Sequence, residues 1–450
     1  MSVVAVDIGT SRIKALLANW DGAIRVVRSA PTPVVAKAGL THEFPADAVR
    51  TTAEALIAEL AAASPGDPVD TLVFSCLGTA MVPVDGDGRP LGASLSPADP
   101  RPSRTPGLRE RVGLSDETLF DLTGQDVRLS SFLLHWLWWR DQRPAAMRRL
   151  HRFRSLRGFL VEGFCGADAE DPSWASRTML MDLATDAWSG TVLAAADLPA
   201  DVLPAIHPST ESWPVDRSAA DRLGLARDAR IVLGAMDNGC AFLGAADPDE
   251  RRLVNIAGTY EHMAGVGGLS LVREAAVAVE GLIHRYLLPG TFLSYSRVPL
   301  GLLLSAVGAA SPGGLDPLLR RVNIRPTGRA IRLDEASVRA ALGGGEPPLE
   351  VLQAILEAGG AILARYASAW CGAGGAVDRI VVVGGGAATP RALQLKANIL
   401  AQPVSTLASD EGAGIGALRL AAIAVEGASL SEACRRFRNP VIRTWPRPAG

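Results

Sequence analysis

Two short turns constrain this chain more than any other feature. Near the start, "VVAVDIGTSRIKALLAN" (3–19) runs as an apolar strand, breaks at Gly9, Thr10 and Ser11, and resumes as a second apolar strand. About half a chain later, "RRLVNIAGTYEHMAGVGG" (251–268) repeats the arrangement around Gly258 and Thr259. Apolar runs on either side of a glycine turn read as β-hairpins. Their recurrence at this distance reads as a duplicated unit, not a short-period solenoid. With 450 residues to divide, the expectation is an α/β chain of two homologous lobes, 1–225 and 226–450, each a mixed sheet flanked by helices, with a cleft between them.

The remaining pattern agrees with α/β from end to end. An amphipathic helix is predicted over 45–63, followed by the buried strand "DTLVFSCL". Residues 81–107, rich in Pro, Gly, Asp and Ser, form a turn-dominated stretch and a candidate ligand wall. Helical patterning returns over 131–163, where Trp136, Trp138 and Trp139 read as core anchors in preference to a stacking box. A long helix (349–370), a glycine-bearing strand (379–390) and a last amphipathic helix, "EGAGIGALRLAAIAVEG", close the chain.

Composition excludes several classes. A net charge of −2 gives no field for polyanions, so nucleic acid is not an expected partner. The chain has no secretory signal pattern and no apolar run near the ~18 residues of a spanning helix, so the expectation is a cytoplasmic protein without membrane contact. Five dispersed cysteines show neither disulfide density nor CxxC spacing, and the six histidines lack ligand spacing. Basic charge is almost all arginine; the only lysines are Lys14, Lys37 and Lys396. A lysine in the first hairpin therefore suggests that a compact point charge is wanted there.

Backbone N–H groups of a tight glycine turn converge on an anion, and the hydroxyls of Thr10 and Ser11 add donors, with Lys14 supplying positive charge. Asp7 repels phosphate but could hold Mg2+ through water. The alternative is a plain hairpin with a solvated tip. Gly258 and Thr259 would be the matching turn on a nucleotide triphosphate. Gly384, Gly385 and Gly386, after a strand and before a helix, let backbone approach adenine or its ribose, or serve strand–helix packing. Asp237 in "LGAMDNGCAFLGA" reads as a helix N-cap or as a general base for a substrate hydroxyl, and the two roles are compatible.

Together "DIGTSRIK", "GAMDNGCAFLGA", "AGTYEHM", "VVVGGGAATPRALQLKANIL", "EGAGIGALRLAA" and above all "DPSWASRTMLMDLATDAWS" (171–189) resemble the FGGY family of carbohydrate kinases. The resemblance spans nearly the whole chain. It implies two actin-like, ribonuclease H-like lobes and transfer of the γ-phosphate of ATP, with Mg2+, to a hydroxyl of a small sugar or polyol: a ketose of xylulose or fuculose type, gluconate or a polyol. It implies ATP contacts at Thr10, Ser11, Lys14, Gly258, Thr259, Gly385 and Gly386, looser ones at Gly301 and Ser305, a metal-facing Asp7, and Asp237 as base. A homodimer is one assembly to expect.

Departures fall on the acceptor side. The family's S-G-Q-M-H-G is "SCLGTAM" here, which puts Leu77, Gly78 and Thr79 where sugar hydroxyls are expected. The W-x-D-x-R segment is "PADPR", keeping Asp99 and Arg101 with Pro97 in place of tryptophan, and Asn238 stands where many relatives have glutamine. The G-E-R-x-P segment is absent. These changes motivate an alternative, a catalytically inactive nucleotide-binding sensor or scaffold of the same fold. An acid-forming kinase such as acetate kinase ranks last, because the Ser-Arg-Thr-Met-Leu stretch matches carbohydrate kinases.

Overall fold

The computed structural model describes residues 1–36, 42–96, 99–126 and 131–446. Lys37 and Pro97, singled out in the sequence, lie outside them. The described chain forms two compact units, each discontinuous in sequence.

The first unit comprises Met1–Gly244, His284–Gly290 and Ala413–Arg438. Its six-stranded sheet runs in the order Ser212–Pro214, Arg230–Met236, Val69–Cys76, Ser2–Ile8, Arg12–Asn19, Ile24–Pro31. The opening hairpin is antiparallel with Asp7 opposite Lys14, while Ser2–Ile8 runs parallel to Val69–Cys76 with Asp7 beside Ser75. Arg230–Met236 also runs parallel to Val69–Cys76 and places Met236 beside Cys76. Asp7, Ser75 and Met236 thus reach the same end of the sheet. The central strands are continuous apolar runs because both faces are covered. Helices Ala46–Ala62 and Leu156–Cys165 pack on one face. On the other, Gly412–Glu426 returns from the end of the chain, and a β-carbon on Gly416 would fall 1.9 Å from the Cys240 carbonyl oxygen, so only glycine permits that approach.

A separate core gathers Leu119, Phe132, Trp136, Trp138, Trp139, Phe153 and Trp174. The three clustered tryptophans are core anchors, as their spacing suggested, and Trp136 Nε1 donates to the Ala196 carbonyl at 3.0 Å. The helical stretch anticipated over 131–163 is broken by a strand, Arg152–Ser155, which pairs with Met81–Val84 inside the turn-rich segment.

The second unit comprises Ala245–Ile283, Thr291–Gly412 and Asn439–Gly450. Its seven-stranded sheet runs Leu282–Arg285, Phe292–Tyr295, Glu261–Gly267, Arg252–Ala257, Arg379–Val383, Val404–Leu407, Val441–Trp445. The hairpin Arg252–Ala257/Glu261–Gly267 has Gly258 and Thr259 at its tip, and Arg379–Val383 lies parallel to its first strand. This repeats the first unit, where Val69–Cys76 takes that place. The division differs from the expected 225/226. Arg230–Met236 completes the first sheet, so the first unit's opening segment extends to Gly244.

Candidate active site

In the first unit the turn at Gly9 is closed by its N–H donating to the Arg12 carbonyl at 3.0 Å and is braced by Thr32, whose hydroxyl donates to the Gly9 carbonyl at 2.8 Å. Thr10 and Ser11 are exposed at the tip and Lys14 is half-buried. Asp7 accepts a hydrogen bond from Ser75 Oγ at 2.7 Å.

Asp237 opens the helix Asp237–Ala245 and is half-buried, with one carboxylate oxygen accepting from the Asn238 N–H at 2.7 Å. Burial first, and the neighbouring Asp7 charge second, push its pKa up to about 7, against the opposing pull of the Asn238 N–H and Arg177. Asp237 is therefore only partly ionised at neutral pH, unlike a solvent-exposed aspartate. The Asp7 charge that raises the Asp237 pKa also marks a place where a cation is favoured.

The acceptor-side residues divide. Gly78 abuts Met236, whose Sδ would lie 2.8 Å from a β-carbon there. Asn238 is half-buried beside the base. Arg101 lies over the Trp138 ring at 4.7 Å and binds Glu43 at 2.8 Å. Asp99 is closed to solvent and engaged by the Arg101 backbone N–H (2.9 Å) and Nη2 (2.6 Å), so it orients Arg101 and offers no surface of its own. Leu77 is a correction: its side chain belongs to the apolar core at 1% exposure. Thr79 is also fully buried, in a left-handed conformation (φ 58°), and among the described residues its hydroxyl has no hydrogen-bond partner. A motif match gives position along the chain but not side-chain direction.

In the second unit a cavity of about 560 Å³ brings Gly258, Thr259, Gly301, Ser305, Gly385 and Gly386 together. Its walls include Leu304, Leu315, Leu319 and Leu356. A β-carbon on Gly301 would fall 2.3 Å from the Gly258 carbonyl oxygen, and the Leu302 N–H donates to Thr259 at 3.1 Å. Gly301 therefore allows the helix Leu300–Ala309 to dock on the Gly-Thr turn. Ser305 spends its proton on the Gly301 carbonyl at 2.8 Å.

Sequence reading missed Glu261 and Lys396, which also line this cavity as a buried ion pair, with Lys396 Nζ donating further to Asn255. The rarity of lysine was the available signal. It also missed Arg177 and His135. His135 is buried among Asp99, Arg177 and Arg101, and burial pushes its pKa down to about 4, so it is neutral.

A duplicated α/β fold, with a carboxylate at a strand end of one unit and a glycine-lined cavity behind a Gly-Thr turn in the other, is the architecture of a sugar-kinase class. Residues 2–244 match the N-terminal domain and residues 327–425 the C-terminal domain of the FGGY family of carbohydrate kinases. The chain belongs to that family. It is 25% identical over 480 residues to a xylulose kinase of Bacillus subtilis, covering 99% of this chain and 93% of that one. A xylulose kinase of Staphylococcus xylosus is 24% identical, covering 94% and 90%. Among solved structures, a gluconate kinase from Lactobacillus acidophilus superposes with a TM-score of 0.84 at 16% identity, covering 100% of this chain and 94% of that one. A ligand-bound xylulose kinase from the same species also gives 0.84 at 16%, covering 99% and 94%. These two superpositions speak to the fold.

Proposed function

We propose that this carbohydrate kinase transfers the γ-phosphoryl group of ATP to a hydroxyl of a small ketose or polyol, with xylulose-type ketoses the leading acceptors. The observation that carries the reading is Asp237: half-accessible, at the end of a sheet strand, with a pKa near 7. A base works best when its pKa lies near the operating pH. The choice of ketose is supported by the near full-length likeness to proteins named xylulose kinase.

The residues fit both implied groups. Gly258, Thr259, Gly385 and Gly386 line a cavity of suitable size for a nucleotide, and Thr10, Ser11 and Lys14 offer donors to phosphate oxygens. Among the described residues no group of three or more His, Cys, Asp or Glu could hold a metal. That fits Mg2+ carried on phosphate oxygens and water, with Asp7 as its protein partner. When bound, Mg2+ would neutralise charge on the transferred group. Asp237 accepts the acceptor hydroxyl's proton as that oxygen attacks phosphorus. Arg101, Gly78 and Asn238 are the proposed acceptor contacts; orientation contributes most of the acceleration, because little covalent work falls to the protein.

ADP release measured across ketoses, polyols and gluconate tests the reading. Asp237→Asn should lower kcat about 10²–10⁴-fold while leaving nucleotide binding intact. A near-normal rate would overturn the base assignment. Nucleotide binding without acceptor-stimulated release would favour the inactive sensor, which no feature of the site otherwise supports. A cytoplasmic location belongs to the same proposal, since ATP is supplied there; among the described residues no helix is long and apolar enough to cross a membrane.

A further inference from the structure

Asp237 acts only if its carboxylate is aimed, and the strand before it gives limited guidance. Ser212–Pro214 pairs with residues 230–232 alone, so among the described residues the outer edge of Arg230–Met236 beyond them has no neighbouring strand. The ladder on its other side also slips between Val232 and Ala235. The slip contains Gly234, with φ 74°, where a β-carbon would overlap the Phe74 carbonyl. An unpaired N–H buried at such an edge costs about 1–3 kcal/mol. The edge groups are met one by one: Leu233 N–H by the Glu211 carbonyl (2.9 Å), Gly234 N–H by the Ser209 carbonyl (3.0 Å), and Met236 N–H by Ser173 Oγ (3.1 Å). Met236 is the residue immediately before the base.

Ser173 is itself held. Its hydroxyl donates to Asp171 Oδ2 at 2.6 Å, which leaves its lone pairs for Met236. Asp171 Oδ1 takes Arg157 Nη2 at 2.7 Å, and the same nitrogen reaches Glu170 at 2.5 Å. Arg157, Glu170 and Asp171 are all fully buried, and Ser173 is 1% exposed. Asp171 also caps the helix Pro172–Arg177 through the Ser173 and Trp174 N–H groups; what is particular to the Met236 contact is that it ends this buried charged network one residue before Asp237.

We propose that Ser173, fixed by Asp171 and Arg157, is a positioning residue that sets the direction of the last peptide before Asp237. The proposal rests on the reading of Asp237 as the general base. The fold supplies a matched control in Ser209, which is 2% exposed and donates to the same Asp171 Oδ2 at 2.8 Å but passes nothing from its side chain to the strand. Ser173→Ala and Ser209→Ala each remove one buried hydroxyl and one hydrogen bond to Asp171. A purely structural role predicts that S173A, which also leaves the Met236 N–H unpaired, melts lower than S209A, with kcat of the folded enzyme unchanged in both. Positioning predicts that S173A loses kcat about tenfold or more with KM for ATP unchanged, while S209A keeps the wild-type kcat. Equal kcat in the two variants overturns the proposal. Asp237→Asn in parallel separates the two ideas: if it turns over normally, the base assignment has failed. If it is inactive and S173A matches S209A, positioning alone has failed. Hydrogen exchange at the Met236 amide of the unsubstituted protein is a check that does not depend on any variant folding. Slow exchange is expected, and exchange as fast as at an open strand edge overturns the idea.

Discussion

A carboxylate with a pKa near 7 is a stronger base than an ordinary aspartate, but it must lose its proton first. The activity kcat/KM should therefore fall tenfold per pH unit below about 7, the value to which burial and Asp7 raise Asp237. Asp7→Asn removes the second cause, so the acid limb should move to lower pH even as the rate drops. A limb that stays in place would show that Asp7 does not act on Asp237. The same shift has a stability sign. The folded pKa lies above the ordinary 3.8, so folding favours the protonated form and ionisation destabilises the native state. That penalty is absent below about pH 4 and complete above about pH 7. Asp237→Asn should melt higher than the wild type at pH 8, with the gap closing as pH falls toward 4. In the second unit, Lys396→Met would leave Glu261 buried without its cation. A loss of about 3 kcal/mol in a denaturant titration is expected.

Elements were legible where the pattern was local. The two Gly-Thr hairpins, the helix Ala46–Ala62 and the long helix Pro348–Gly372 follow from apolar periodicity and turn residues read within a short window. Arg152–Ser155 was not, because four residues between helices carry no period, and their partner Met81–Val84 lies some seventy residues away. The site divides in the same manner. The placement of Asp7, Asp237 and the glycine turns at strand ends was legible from the apolar runs beside them, and their roles belong to the proposal above. Leu77, one residue past Val69–Cys76, was not legible as core because both faces of that strand are covered, so no apolar–polar alternation in the sequence marks which way its side chain points. Gly301 shows how one element depends on another. Gly301→Ala should push Leu300–Ala309 off the Gly258 carbonyl and weaken nucleotide binding in calorimetry, and binding at the unsubstituted affinity would mean that this docking does not shape the cavity.

At the scale of the molecule, the instructive feature is that neither unit is continuous in sequence. Gly412–Glu426 lies far along the chain from the sheet of the first unit, yet it belongs to that unit. Its Arg419, 1% exposed, donates to the carbonyls of Leu243 (2.5 Å) and Phe437 (3.0 Å). Leu418, Leu420, Ala421 and Ala422 beside it are fully buried. Burying one such leucine contributes about 1.5–3 kcal/mol, so losing the helix removes an amount comparable with the ~5–15 kcal/mol stability of a typical domain. A chain ending at residue 411 should therefore lose the cooperative melting of its first unit, although residues 1–244 are intact. Limited proteolysis tests this directly. Rapid cleavage within 1–244 of the shortened chain is expected, and a resistant 1–244 fragment would mean that the returning helix is an ornament on a sheet that folds alone. No local pattern in 412–426 could have assigned it to the first unit. Its apolar face is generic, and what matches it to one particular surface is specific contact: Gly416 against Cys240, Gly414 against Leu16 and Arg419 on the Leu243 carbonyl.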